Sequence, residues 1–206
     1  MRDISALMRA APVIPVLIIE DVVHARPIAE ALVDGGLPVL EVTLRTPCAL
    51  EAIAEMRAVE GAIVGAGTVL NGHTLKLAID AGSEFIISPG LTEPLGKAAI
   101  ESGVPFLPGV ANAGDIMRGM DMGLSHFKFF PAEASGGIKA LKAITGPFGE
   151  ARFCPTGGVT QASAPDWLAL DPVVCVGGSW LVAKGAAPDT EAITQAAKAA
   201  SALKAA

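Results

Sequence analysis

A (β/α)8 barrel is the fold this sequence predicts, and three observations predict it. From residue 13 onward, apolar runs of strand length alternate with helical patterns of ten to fifteen residues. Eight such pairs recur at a spacing of roughly 20–25 residues, and alternation of this kind builds a parallel sheet with helices outside it. Hydrophobic residues make up 51% of the 206 and charged ones only 17%, which suits strands covered on both faces. No Gly-x-Gly-x-x-Gly follows a strand, which counts against a doubly wound open sheet.

Each element has its own local reason. Residues 1–12 read as an extra N-terminal helix at the barrel bottom. Residues 13–19 are an unbroken apolar run, the first strand, and 22–33 its helix, stopped by Gly35-Gly36. The second strand spans 39–44, and Pro47 suits the first turn of a helix running to 59. Residues 62–68 form the third strand and 74–81 its helix, ended by Gly82. The fourth strand, 84–88, precedes a helix over 93–101 with Pro94 near its start. Residues 105–110 form the fifth strand, and 113–122 a helix ended by Gly123. The sixth strand, 126–130, leads to a helix at 138–144. The seventh, 152–156, leads to a weak helix at 162–170, and the eighth, 173–176, to a final helix at 190–204 rich in Ala and Lys. No linker or low-complexity tract divides the chain, so residues 1–206 are read as one barrel domain.

The totals exclude several classes. A net charge of −6 argues against nucleic acid or an anionic membrane as the main partner. The first ten residues contain Arg2, Asp3 and Arg9 and lack an apolar signal core, so a cytoplasmic protein is expected. Cys48, Cys154 and Cys175 form no Cys-x-x-Cys pair and read as free thiols of a reducing compartment. His24, His73 and His126 show no ligand spacing, so no metal site is expected.

The sixth strand carries the chemistry. Lys128 stands inside the run Phe127-Lys128-Phe129-Phe130, whereas the other seven lysines, among them Lys184 and Lys204, fall in helical patterns or loops. An ammonium costs several kcal/mol to bury unless it is paired or neutralised, so a buried lysine is a candidate amine nucleophile. Strand side chains alternate, so Phe127 and Phe129 facing the helices send Lys128 inward. The same rule on the second strand turns Leu40, Val42 and Leu44 outward and Glu41, Thr43 and Arg45 inward. Glu41 then suits general acid and base work, while Arg45 would disfavour a second positive charge nearby. A buried ion pair that merely fills the barrel is the competing reading.

Glycine pairs end the last two strands, in Thr156-Gly157-Gly158 and Gly177-Gly178-Ser179. Bare backbone N–H groups after these strands commonly cradle phosphate in barrel enzymes. The ends of strands three and four, Gly65-Ala66-Gly67-Thr68 and Ser88-Pro89-Gly90, would line the rest of the mouth, with Thr68 offering a hydroxyl.

These motifs, with Arg152-Phe153-Cys154-Pro155 and Ser179-Trp180-Leu181, resemble the bacterial 2-keto-3-deoxy-6-phosphogluconate (KDPG) and 4-hydroxy-2-oxoglutarate (KHG) aldolases in order and spacing from about Pro12 to Leu181. The resemblance implies a class I, cofactor-free and metal-free aldolase, usually a homotrimer, of the Entner–Doudoroff pathway. It implies that Lys128 forms a Schiff base with a phosphorylated 2-keto acid and that Glu41 is the acid/base. It also implies that Arg45 and Thr68 hold the pyruvate carboxylate, and that Pro89, Phe130 and Thr156 shape the pocket. Gly157, Gly158, Gly177, Gly178 and Ser179 would bind the 6-phosphate. The epimeric 6-phosphogalactonate as substrate, and a phosphate-binding barrel isomerase, stay open at this point.

Overall fold

The computed structural model describes residues 3–183, 185 and 187–203. The strands are β1 (Val13–Leu17), β2 (Val39–Thr43), β3 (Ile63–Gly67), β4 (Ile86–Ile87), β5 (Phe106–Leu107), β6 (Gly109–Val110), β7 (His126–Phe129), β8 (Arg152–Pro155) and β9 (Val176–Gly178). The helices are α1 (Ile4–Met8), α2 (Ala25–Asp34), α3 (Ala49–Arg57), α4 (Gly72–Asp80), α5 (Glu93–Ser102), α6 (Ala113–Asp121), α7 (Gly137–Thr145), α8 (Ala164–Leu168) and α9 (Thr190–Ser201). Short polar residues start many of them. Asp3, Asn71, Thr92, Asn112 and Asp189 each accept a backbone N–H of the following first turn.

All strand pairs are parallel. One sheet runs β5-β4-β3-β2-β1-β9 and the other β6-β7-β8. The single bridges Phe153↔Val173 and Thr156↔Gly177 tie β8 and the residue after it to β9 and the segment before it, and the chain itself joins β5 to β6, so the sheet curls into a TIM-type barrel. Two apolar layers follow from strand alternation. Leu40, Val42, Phe127, Phe129 and Phe153 pack outward with the helices. Ile14, Val39, Ile63, Phe85, Ile87, Leu107 and Cys154 form a separate cluster with Leu7 and Met8 of α1. Leu7 and Met8 are buried, so α1 closes the barrel bottom as expected.

Three expectations change. The fifth strand, expected over 105–110, is broken at Pro108, which has no N–H for the ladder. Its two pieces serve different neighbours, β5 pairing with β4 and β6 with β7. The eighth strand, expected at 173–176, pairs with β1 over Val176–Gly178 instead. Val173 and Val174 are drawn to β8, where the Val174 N–H donates to the Phe153 carbonyl at 3.0 Å. The weak helix expected at 162–170 is only one turn or so, Ala164–Leu168. Lys184, Lys204, the end of the last predicted helix, and Met1 and Arg2 of the first lie outside the described residues.

His126 begins β7 directly opposite Arg152 in the ladder. Burial, followed by the nearby positive charge of Arg9 and Arg152, pushes its pKa below 6.5, with Asp3 opposing. The unfolded chain therefore takes up a proton first as pH falls, and folded stability is lost below about pH 6.5 and unaffected well above it. His126→Gln is expected to lose less unfolding free energy than the native chain between pH 7.5 and pH 5.5, as measured by urea titration.

Candidate active site

Alternation on β2 decides what faces inward. Val39 belongs to the inner cluster, so Glu41 and Thr43 share its direction. On β7 the outward packing of Phe127 and Phe129 sends Lys128 inward. Glu41 and Lys128 meet there: Lys128 Nζ donates to Glu41 Oε1 at 2.9 Å and Oε2 at 3.2 Å. The two residues are 5% (Lys128) and 2% (Glu41) exposed, which makes this a buried ion pair. The Lys128 backbone is held as well, its N–H donating to the Pro108 carbonyl at 2.8 Å. The Phe130 ring lies with its centroid 5.3 Å from the amine, close enough for cation–π attraction.

The carboxylate fits because β3 has no side chain opposite it. A Cβ on Gly67 would collide with Glu41 Oε1. Gly65 likewise leaves space for the Phe85 ring. Both glycines stand within β3, as the strand expected over 62–68 has them. Thr43, on the same inward face, is committed to structure, its hydroxyl donating to the Leu17 carbonyl at 2.8 Å.

Arg45 follows β2 and does not bond to the amine. Its Nε donates to Thr68 Oγ1 at 3.4 Å. Among the described residues Thr68 is the single non-glycine with positive φ, 61°. Such backbone costs on the order of 1–3 kcal/mol and concentrates where function needs it. A cavity of about 120 Å³ opens at this end of the barrel, lined by Arg45, Lys128, Phe130, Thr156, Gly157, Gly158, Gly177 and Ser179. Eight of the sequence-derived site residues thus share one cavity, with Glu41 behind the amine and Thr68 tied in through Arg45.

Two others stand apart from its lining. Pro89 sits against Gly109, where a Cβ would collide with the Pro89 carbonyl oxygen. Gly178 is buried within β9, paired with Pro15 and covered by the Trp180 ring. Val16, Leu17, Ile18, Val159 and Val182 also line the cavity. Sequence reasoning missed them, because an apolar wall residue and a core residue look alike in sequence. Gly157 and Gly158 have φ of 98° and 84°, conformations that L side chains avoid. Thr156 Oγ1 donates to the Cys154 carbonyl at 3.3 Å, and Gly177 leaves room for that hydroxyl.

None of the three thiols lines the cavity. Cys175 is fully buried, and its hydrogen bond with Cys154, with burial next, pushes its pKa well up. Among the described residues no three His, Cys, Asp or Glu side chains gather to hold a metal ion, and no helix is long and apolar enough to cross a membrane.

A parallel barrel with a lysine amine and a carboxylate at the base of a glycine-rimmed mouth defines a class of lysine-bearing barrel enzymes. Within it, residues 4–196 match the family described as KDPG and KHG aldolase. A 2-dehydro-3-deoxy-phosphogluconate aldolase of Zymomonas mobilis is 61% identical over 99% of this chain and 98% of its own. Its crystal structure with 3-phosphoglycerate superimposes with a TM-score of 0.97, covering 100% of this chain and 98% of that one. The KHG/KDPG aldolase of Escherichia coli is 54% identical over 94% of this chain and 92% of its own. The KDPG aldolase of Legionella pneumophila, with pyruvate captured as a covalent carbinolamine, matches at TM-score 0.91 and 44% identity, covering 96% of this chain and 98% of that one. The chain belongs to the KDPG and KHG aldolase family.

Gly67→Ala should leave the barrel folded and push the Glu41 carboxylate off Lys128. A misplacement of about 1 Å at reacting groups costs about a hundredfold in rate. The expected result is a loss of that order in kcat/KM with an unchanged far-ultraviolet circular dichroism spectrum.

Proposed function

We propose that this chain is a class I aldolase that cleaves 2-dehydro-3-deoxy-6-phosphogluconate to pyruvate and glyceraldehyde 3-phosphate. One observation carries the reading. The buried amine of Lys128 is held by a carboxylate on one side and lines the cavity on the other. An inert ion pair filling a barrel has no need of an opening onto a mouth that also carries an arginine and a positive-φ glycine turn.

Glu41 takes a proton from the Lys128 ammonium it already accepts from, which frees the nitrogen lone pair. The amine adds to the C2 carbonyl to give a carbinolamine, and Glu41 returns its proton to the carbinolamine hydroxyl, which leaves as water and restores the carboxylate. The resulting iminium is the electron sink. Glu41 removes the C4 hydroxyl proton, the C3–C4 bond breaks, and its electron pair enters the iminium to give an enamine. Glyceraldehyde 3-phosphate departs, the enamine is protonated at C3, and water releases pyruvate. No cofactor is required by this route.

Arg45, bonded to Thr68, would take the substrate carboxylate, and Phe130 and Thr156, which line the same cavity, would wall the pyruvyl group. Gly157, Gly158, Gly177 and Ser179 would take the phosphate at the cavity rim. Structures of two relatives contain chemically related molecules, pyruvate as a covalent carbinolamine in one and 3-phosphoglycerate in the other, which supports this reading. The Escherichia coli relative, described as a KHG/KDPG aldolase, favours 4-hydroxy-2-oxoglutarate as a second substrate. The same reading makes the protein a cytoplasmic, one-domain homotrimer of the Entner–Doudoroff pathway, with exposed Met117, Met120 and Ile100 suited to self-association.

Borohydride with pyruvate should attach a reduced pyruvyl group to Lys128, located by peptide mass mapping. An adduct on another lysine, or none, would overturn the reading. Glu41→Gln keeps the shape and removes the proton acceptor, and is expected to lower kcat by about 10²–10⁴-fold with KM little changed in steady-state assays. Light scattering behind size exclusion should give the mass of three chains.

A further inference from the structure

The turn Gly157-Gly158 joins two consecutive residues at positive φ, 98° and 84°. Glycine adopts this conformation freely and leaves it freely, so the sequence of the turn does not hold its N–H groups in place. Something outside the turn has to. The segment after β7 lies across from it and is bonded to it twice. The Ala132 N–H donates to the Thr156 carbonyl at 2.8 Å, and the Glu133 N–H to the Gly157 carbonyl at 3.0 Å.

The Glu133 side chain completes the clasp. Its Cβ and Cγ lie so close over Gly158 that any side chain there would collide with them. Its Oε1 accepts from Trp167 Nε1 at 3.0 Å. Trp167, on α8, is 0% exposed and among the largest fully buried side chains. An exposed glutamate is therefore pinned by the one polar atom of an immobile core indole, and the pinned stem presses on the turn. A carboxylate beside a bound phosphate would repel it, so charge is not what this residue contributes. Its contribution is the fixed position of its stem.

We propose that Glu133 is a positioning residue for phosphate recognition, fixing the Gly157-Gly158 turn through its contact with Gly158 and its tether to Trp167. The proposal rests on the reading of that turn as the phosphate site. It makes Trp167 part of the same device, although Trp167 is buried in the helix layer.

The test runs the reaction in the joining direction, with pyruvate and one of two acceptors differing only in phosphate, D-glyceraldehyde 3-phosphate and D-glyceraldehyde. Glu133→Ala removes stem and tether. It should raise KM for the phosphorylated acceptor about ten- to a hundredfold, as loss of a positioning group does, and leave kcat/KM for the unphosphorylated one within about twofold. Glu133→Gln keeps the stem and an acceptor oxygen for the indole and should restore native KM for both. Trp167→Phe keeps most of the buried volume, releases the tether, and should give the same split as Glu133→Ala. Equal losses on both acceptors would mark a general folding role and overturn the proposal, as would native values in Glu133→Ala. A native enzyme indifferent to phosphate would instead remove the phosphate site itself, and the proposal with it.

Discussion

Two full charges, the Lys128 ammonium and the Glu41 carboxylate, sit inside the barrel with almost no contact with solvent, and the surrounding structure is arranged around that fact. Taking each ion from water costs several kcal/mol, and mutual attraction offsets this only when geometry is good. Geometry is good here because both partners are fixed from behind. Lys128 is placed by the β6–β7 ladder, in which its N–H donates to the Pro108 carbonyl. Glu41 is placed by β2 and admitted by the missing side chain of Gly67. Removing either charged group alone would leave the other buried and unpaired, at about 3–5 kcal/mol. The pair is thus a poor device for stability and a good one for holding a proton between two named atoms.

The rest of the mouth shows the same economy of side chains. Gly65, Gly67, Gly109 and Gly177 each leave a space that a neighbour fills: the Phe85 ring, the Glu41 carboxylate, the Pro89 carbonyl and the Thr156 hydroxyl. A chain of 206 residues has short loops with which to build a site. It builds one instead by bringing strand ends close together, and the β-carbon is what has to be absent for that approach.

Much of this was legible in the sequence, for a definite reason. Period-two alternation is a local rule, and it placed Glu41 and Lys128 inward from nothing more than the apolar residues beside them. Their meeting required only that both lie in one barrel. What alternation could not supply was depth. It grouped Arg45 with Glu41, yet Arg45 stands beyond the strand and bonds to Thr68. Glycines were harder still. Gly177-Gly178 looks the same in sequence whether it ends a strand or forms one, and pairing with Ile14 and Pro15 decides that it forms one. The link from Glu133 to Trp167 spans 34 residues and carries no local pattern at all.

The floor of the barrel has a further consequence. Leu7 and Met8 stop it from below and the inner apolar cluster fills the space above them, so the cavity that Lys128 lines is closed beneath. Any molecule that reaches the amine enters and leaves by the same door. For a substrate split in two, the fragment nearer the door has to go first, and the water that frees the inner fragment follows it in. Traffic through one opening imposes the same order that a covalent hold on Lys128 would impose by itself.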